Sequence, residues 1–277
     1  MQIGYNTNGF AHHAIEDTLA ILAEIGYRSV ALTIDHGLLN PYGQGLPSRV
    51  ERVRDLLARY EMRSVMETGA RFLLDPRHKH EPTLMTADAA LRSRRVRFLQ
   101  QAIDIAAELQ SDCVSLWSGV LHDSTTPYDA AFERLSGGLM EVVEHAQRRR
   151  VTLGFEPEPG MFIDTMSRYE QLLTRIDAPC FKLTLDIGHL HCLGEEPIAD
   201  CVHRWAPRLV NVHIEDMKRG VHEHLMFGEG EIDFPPILRA LRDVMYTGGI
   251  HVELSRHSHM APTAARQSYQ FLRSMMP

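Results

Sequence analysis

The chain has 277 residues, of which 44% are hydrophobic and 23% charged, and its formal net charge is −7. This composition is typical of a soluble globular protein with a large core, and the acidic balance argues against a nucleic-acid groove, which usually carries basic excess. No run approaches the roughly 18 apolar residues of a membrane-spanning helix, and the first ten residues, MQIGYNTNGF, lack the basic and apolar regions of a signal peptide. We therefore predict a cytoplasmic protein with neither a membrane nor a nucleic acid as partner.

Short β-branched runs alternate with longer amphipathic stretches along the chain. The apolar residues of the longer stretches recur with the 3.6-residue period of helices, from IEDTLAILAEIGY near the N-terminus to TAARQSYQFLRSMM at the C-terminus. We predict strands at residues 2–6, 28–34, 62–67, 112–117, 151–156, 180–186, 208–213 and 248–253.

Eight strand–helix alternations in a chain of this length predict the α/β class and a single (β/α)₈ TIM barrel, one catalytic domain over residues 1–277. A doubly wound open sheet is the alternative, but it would need a glycine-rich phosphate loop after the first strand, and YNTNGFAHH is not such a loop. The longest insertions, 68–86 and 214–232, follow the third and seventh strands and should leave the carboxyl-terminal face, where barrel active sites form.

Ionisable residues end the last four predicted strands, in the order Glu156, Asp186, His213 and Glu253. In a barrel these ends lie side by side on one rim, and three carboxylates so close together repel one another unless a positive charge lies between them. A divalent cation would supply that charge, and three oxygen ligands with one nitrogen suit several metals. The sequence predicts one metal ion with these four ligands, Mn²⁺ as first choice and Zn²⁺, Co²⁺ or Mg²⁺ as alternatives.

The residues at these strand ends read GFE, LDIGH, NVH and HVE. With this pattern the chain resembles the xylose isomerase-like TIM-barrel superfamily, specifically its sugar phosphate isomerase/epimerase group. That group includes ketose 3-epimerases, hydroxypyruvate isomerases and the endonuclease IV branch, and it shares a Glu, a D-x-x-H pair, a His and a Glu at these strands. The resemblance extends over all eight alternations and implies a homo-oligomer.

The epimerase branch implies further substrate contacts. His189 is the histidine of the D-x-x-H pair at the sixth strand, and in that branch it contacts the substrate. Arg219 follows the seventh-strand histidine by the six residues that the branch shows. An acid after the fifth-strand glutamate often contacts the end of the sugar, and Glu158 offers one at a shorter spacing than in ketose 3-epimerases. Trp117, which ends the fourth predicted strand, could be an apolar wall for the sugar or part of the core.

The endonuclease branch implies a second metal site. There a D-x-H pair before a GEG motif binds an additional zinc together with the D-x-x-H histidine. This chain has His222 and His224 before GEG, so these two residues and His189 could hold a second ion. The alternative is that they are polar loop residues that contact substrate. The branch also takes metal ligands from strands 3 and 4, whereas those strands end here in Glu67 and Trp117, so a full trinuclear cluster is not expected.

Further charged residues follow the second, third and eighth predicted strands. They could bind an anionic group of a substrate, or they could belong to a lid or an oligomer contact. These less specific candidates are Asp35, His36, Arg71, Arg77, His78, Lys79, Arg256, His257 and His259.

Together these features predict a divalent-metal-dependent isomerase or epimerase of a sugar or related polyhydroxy carbonyl compound. Proton abstraction next to the carbonyl would give an enediolate, with Glu156 and Glu253 as the acid/base pair. The alternatives are a metal-dependent lyase acting on a keto-sugar or glycoside, a phosphodiesterase of the endonuclease IV type, and a sugar-binding barrel without enzymatic activity. Fold alone does not choose among them, since barrels host many chemistries.

Overall fold

A closed barrel of eight parallel strands lies at the centre of the computed structural model, which describes residues 1–276. The barrel strands are β1 (Gln2–Asn6), β2 (Ser29–Thr33), β3 (Arg63–Glu67), β4 (Val114–Leu116), β5 (Leu153–Phe155), β6 (Phe181–Asp186), β7 (Leu209–Ile214) and β10 (Gly249–Val252). Around the barrel they follow the order β1-β10-β7-β6-β5-β4-β3-β2, and β2 pairs with β1 to close it. The prediction of a (β/α)₈ barrel is therefore confirmed.

Helices surround the barrel and turn their apolar stripes toward it, as the 3.6-residue periodicity predicts. In the first of them, for example, Leu19 and Leu22 are fully buried. The helices are α1 (Ile15–Ile25), α2 (Leu46–Arg59), α3 (Ala89–Leu109), α4 (Tyr128–Arg149), α5 (Met166–Leu173), α6 (Ile187–Leu193), α7 (Ile198–Trp205), α8 (Phe234–Asp243) and α9 (Ala261–Met275). Three short 3₁₀ turns within residues 1–276 span Thr7–Phe10, Ala206–Arg208 and Ser255–Met260.

The helix α6 was not predicted from the sequence. It begins directly after β6, where the carboxylate of Asp186 accepts a hydrogen bond from the backbone N–H of His189 at 2.8 Å. An aspartate at this position caps a helix by accepting one of its unpaired N–H groups. The cap places both residues of the D-x-x-H pair on the carboxyl-terminal face of the barrel.

A two-stranded antiparallel hairpin, β8 (Asp216–Lys218) and β9 (Val221–Leu225), forms the first part of the insertion after β7. The buried carboxylate of Asp216 accepts backbone hydrogen bonds from Met217, Gly228 and Ile232. One side chain thus joins the start of the insertion to its end, and this holds the hairpin in place beside α6.

Polar side chains fill part of the barrel interior, and we call Ser29, His251 and Asn211 the polar column. Ser29 Oγ lies 2.8 Å from Nε2 of His251, and Nδ1 of His251 donates to Oδ1 of Asn211 at 2.8 Å. Burial lowers the pKa of His251 to about 3, so its ring is neutral. Gly4 leaves room for this ring, because a Cβ at that position would lie 2.3 Å from Cδ2 of His251.

Across residues 1–276, no helix has the length and apolar character required to cross a membrane. Within the described residues, Cys113, Cys180, Cys192 and Cys201 are free cysteines that form no disulfide.

Candidate metal centre and substrate cavity

The four predicted metal ligands meet at the carboxyl-terminal rim of the barrel. Asp186 is the last residue of β6 and His213 the penultimate residue of β7, while Glu156 and Glu253 directly follow β5 and β10. One ligand atom from each lies within 4.8 Å of those of the other three. The neighbouring strands are parallel and in register at this level, with Asp186 opposite His213, so their ends converge on one point.

His213 occupies the centre of this cluster. Its Nδ1 lies 3.0 Å from Oε1 of Glu156 and 3.0 Å from Oε2 of Glu253. Its Nε2 faces the opposite way and lies 2.9 Å from Oε1 of Glu67, at the end of β3. An acceptor at Nε2 favours the tautomer in which the lone pair of Nδ1 points at a metal, and outer carboxylates commonly orient metal-binding histidines in this manner.

The donor set fits a divalent cation. Glu156, Asp186 and His213 are buried and the side chain of Glu253 is 19% exposed, and Oδ2 of Asp186 has no hydrogen-bond partner within residues 1–276. A buried carboxylate oxygen without a partner is costly unless a positive charge compensates it. Three carboxylates and one imidazole are ligands that Mn²⁺, Mg²⁺, Co²⁺ and Zn²⁺ accept.

The pKa values of the cluster are shifted by burial and by the charges of neighbouring side chains. Burial raises the pKa of Glu156 to about 8, although His213 acts in the opposite direction. Burial also disfavours the charged forms of Glu253 and His213, but their mutual attraction outweighs it. The pKa of Glu253 is therefore lowered by His213, and the pKa of His213 is raised well above its ordinary value by the carboxylates around it, Glu156 first.

A cluster of three histidines lies next to these ligands. His189 is on α6, while His222 and His224 are alternate residues of β9 and therefore point to the same side of the hairpin. Nε2 of His189 lies 3.0 Å from Nε2 of His222, and one nitrogen from each of the three rings lies within 4.8 Å of the others. Burial lowers the pKa of His189 to about 4, so this ring is neutral and able to act as a ligand.

Glu215 is a component of the site that was not identified from the sequence. Its side chain is fully buried, and neither carboxylate oxygen has a hydrogen-bond partner among the described residues. Nδ1 of His224 lies 3.6 Å from one of these oxygens, and Asp186, Glu215 and His224 form a further group of potential ligands. Burial raises the pKa of Glu215 to about 8. Glu215 lies two residues after His213, so strand alternation indicates the same side of the chain, but the sequence does not show that this carboxylate is buried.

A cavity of about 300 Å³, which we call the central cavity, opens over both clusters. Glu158 and Trp117, both proposed from the sequence as substrate contacts, line it, and so do Asn8 and His80, which were not predicted. Nδ2 of Asn8 donates a hydrogen bond to Oε1 of Glu253 at 2.8 Å and so restricts the orientation of that carboxylate. Of the less specific candidates, Arg71, Lys79 and Arg256 line this cavity.

Trp117 forms a wall of the cavity that is supported from behind. The guanidinium of the buried Arg95 lies 4.7 Å from the centre of the indole ring, and the ring of His80 meets it edge-on at 5.5 Å. Nη2 of Arg95 donates to the backbone carbonyl of Thr68 at 2.7 Å. These contacts hold the indole in a fixed position at the cavity wall.

Arg219 is placed differently from what the resemblance implies. It lies at the turn of the hairpin, half exposed and outside the lining of the central cavity, and its guanidinium pairs with Glu196. Its backbone N–H donates to Glu231 at 3.1 Å. The spacing from His213 is correct, but the hairpin and its acidic neighbours direct the side chain away from the metal ligands. The substrate contact predicted for Arg219 is therefore not supported by its position.

The remaining candidates also lie outside the central cavity. Asp35 and His36 line an adjoining cavity on the side of β1 and β2. Arg77, His78, His257 and His259 are not part of the lining of either cavity.

Comparison with known proteins gives one family and several relatives. A family model described as a xylose isomerase-like TIM barrel matches residues 19–275. An L-ribulose-5-phosphate 3-epimerase from Salmonella typhi is 26% identical over 211 residues, which cover 73% of this chain and 70% of that protein. Its counterpart from Shigella flexneri serotype 5b is 27% identical over 219 residues, which cover 78% and 74%.

Solved structures with the same fold include a D-tagatose 3-epimerase-like protein, with a TM-score of 0.77, 20% identity and coverage of 99% of both chains. A 3-keto-D-glucoside 4-epimerase from E. coli has a TM-score of 0.80 and 17% identity, again over 99% of both chains. At such identities the similarity establishes the fold.

Proposed function

The chain belongs to the xylose isomerase-like TIM-barrel family, and on that premise we propose that it is a divalent-metal-dependent isomerase or epimerase of a sugar or related polyhydroxy carbonyl compound. The observation that carries the proposal is the convergence of three carboxylates and an imidazole beneath a polar cavity. The curated relatives named above are 3-epimerases of a ketose phosphate, which agrees with this class of reaction.

The ligands Glu156, Asp186, His213 and Glu253 would hold the cation. When bound there, a divalent cation, Mn²⁺ or else Zn²⁺, Co²⁺ or Mg²⁺, supplies positive charge beside the substrate oxygens on which negative charge develops. Glu67 keeps Nδ1 of His213 directed at this position through the hydrogen bond to Nε2.

Glu156 and Glu253 carry the proton transfers in this proposal. One carboxylate removes the proton from the carbon next to the carbonyl, and the planar enediolate that results is protonated by the other. If the proton is delivered to the same carbon from the opposite face, the configuration of that carbon is inverted. If the proton is delivered to the neighbouring carbon, the carbonyl group moves. Asn8 holds Glu253 for this step by its 2.8 Å hydrogen bond, and the buried carboxylate of Glu156 lies 3.0 Å from Nδ1 of His213.

The residues around Glu156 and Glu253 bind the substrate in this proposal. Burial raises the pKa of Glu158 to about 8, so its carboxyl retains a proton at neutral pH and can donate a hydrogen bond to a sugar hydroxyl. The neutral ring of His189 is positioned to contact a substrate oxygen. Trp117 offers an apolar face to the carbon side of the sugar.

The three-histidine cluster has two roles open to it. His189, His222 and His224 hold a second divalent ion, or they contact substrate directly. The mutual distances of their nitrogens support the first role, and their place in the lining of the central cavity supports the second.

The test of the proposed function uses solvent deuterium and two isosteric variants, Glu156→Gln and Glu253→Gln. Each variant keeps the shape of the side chain and an oxygen ligand but lacks the base, and loss of a general base typically costs about 10²–10⁴ in rate. If the two residues face opposite sides of the enediolate, one variant should exchange the α-proton of one epimer only, and the other variant that of the opposite epimer. Glu170→Gln is the matched control, since Glu170 pairs with Arg204 on the exposed surface.

Two outcomes would contradict the proposal. Equal exchange of both epimers by both variants would indicate a single base or a hydride shift. Absence of exchange into any ketose of a broad panel, with metal-loaded wild-type protein, would rule out the reaction class.

A further inference from the structure

A second cavity, of about 230 Å³, adjoins the central cavity on the side of β1 and β2, and we call it the side cavity. It is formed by the 3₁₀ turn Thr7–Phe10, the start of α1 and the tight turn at residues 35–38. Asn8, Thr33 and Arg71 line both cavities. Both open on the carboxyl-terminal face of the barrel, so a ligand that reaches past these shared residues occupies both.

The size of the side cavity favours a group larger than a phosphoryl group. At roughly 30 Å³ for each water molecule in the liquid, it holds about eight waters. That space accommodates one sugar ring with its hydroxyls. A phosphoryl group would leave most of it to solvent.

The chemistry of the lining favours a neutral ligand. Nη1 of Arg71 lies 3.6 Å from Oδ2 of Asp35, so the one guanidinium at the boundary already has a carboxylate partner. An anionic group placed there would meet the charge of Asp35. Phe10 and Leu38 add apolar surface, and a sugar ring combines an apolar C–H face with polar hydroxyls at its edge.

We infer that the side cavity binds a neutral sugar ring carried by the substrate, so that the substrate class is a ketose, or related carbonyl sugar, with a glycosyl substituent remote from the reacting carbons. This inference rests on the proposed function for the placement of the reacting part in the central cavity. Asn8 connects the two parts of the ligand: it borders the side cavity and donates to Glu253, so an occupant of the side cavity lies against the residue that orients the base.

The experiment compares three ligands that differ only at the end remote from the carbonyl: fructose, 6-O-glucosyl-fructose and fructose 6-phosphate. Their dissociation constants are measured by calorimetry with the Mn²⁺-loaded protein. Gly37→Trp places an indole at the edge of the side cavity, because Gly37 is an exposed residue of its lining and a Cβ at that position meets no atom within 4 Å in residues 1–276. Gly137→Trp on α4 is the matched control, since its Cβ is equally unobstructed by the described residues and it lines neither cavity.

We expect 6-O-glucosyl-fructose to bind at least about tenfold more tightly than fructose, and Gly37→Trp to abolish this gain without changing the binding of fructose. The control variant should behave as wild type. The inference is overturned if the glucosyl group gives no gain, if the gain survives Gly37→Trp, or if fructose 6-phosphate shows the same Gly37-dependent gain. The proposed function stands or falls separately, by deuterium exchange into a ketose, which does not depend on these affinities.

Discussion

Replacing Glu67 with glutamine tests how the orientation of His213 is set. Oε1 of Glu67 accepts from Nε2 of His213 at 2.9 Å, and both side chains are buried. Asn211 lies beside the pair, with its Nδ2 3.1 Å from the same Nε2 and 3.3 Å from Oε1 of Glu67. Glutamine keeps the size of the side chain and one oxygen but removes the charge, so the perturbation is confined to the strength and polarity of one hydrogen bond.

The expected magnitude follows from the change in that bond. A hydrogen bond to a charged group contributes about 1.5–3 kcal/mol and a neutral one about 0.5–1.5 kcal/mol, so the difference is on the order of 1–1.5 kcal/mol. Such a difference corresponds to about tenfold in affinity. Loss of an outer partner of a metal-binding histidine typically costs 10–100-fold in metal affinity, so we expect about tenfold weaker binding for Glu67→Gln and up to about 100-fold for Glu67→Ala.

Calorimetric titration of Mn²⁺ into the metal-free protein measures this loss. The matched control is Asp104→Asn, because Asp104 lies 2.9 Å from Nε2 of His145 on the outer helices, far from the barrel rim. The control should bind Mn²⁺ as wild type does. If Glu67→Gln also binds Mn²⁺ as tightly as wild type, then Glu67 does not orient His213, and the reasoning from the Nε2 contact is refuted.

Three further predictions concern the metal, the hairpin and the barrel interior. Chelation should lower the Tm, since a ligand at 1,000 times its Kd stabilises the folded state by about 4 kcal/mol; identical calorimetric scans with and without chelator would contradict the metal site. Changing His222 and His224 together to alanine should reduce the metal content of purified protein by about one ion, and unchanged elemental analysis would favour substrate contact instead. Gly4→Ala should cost about 1–3 kcal/mol of unfolding free energy, because its Cβ would lie 2.3 Å from His251. Urea denaturation measures this cost, with Gly137→Ala as control, and equal stability of the two variants would disprove the steric argument.

The barrel and the convergence of its strand ends could be predicted because both depend on local pattern. Alternating periods of apolar residues identify strands and helices, and a closed barrel brings neighbouring strand ends to one rim whatever the connections do. The meeting of Glu156, Asp186, His213 and Glu253 therefore required no knowledge of the loops. The predicted strand ends were displaced by one residue at Glu156 and Glu253, which follow β5 and β10 directly.

Other features depend on contacts between distant parts of the chain, which a linear pattern does not record. The direction of Arg219 is set by the hairpin and by Glu196, 23 residues earlier. The helix α6 has seven residues, too few to display a clear period. Glu215 is an acid beyond a strand end like many solvated ones, and only the packing around it distinguishes a buried carboxylate from an exposed one.

The polar column has a consequence for how such barrels can be recombined. If the chain is divided between β4 and β5, Ser29 and Glu67 fall in the first half, whereas Asn211, His213 and His251 fall in the second. Hydrogen bonds therefore join the two halves inside the barrel. One runs between Ser29 and His251, and another between Glu67 and His213. The halves of this barrel are therefore not interchangeable modules. A chimera that takes its first half from a relative retains the orientation of His213 only if that half also brings side chains equivalent to Ser29 and Glu67.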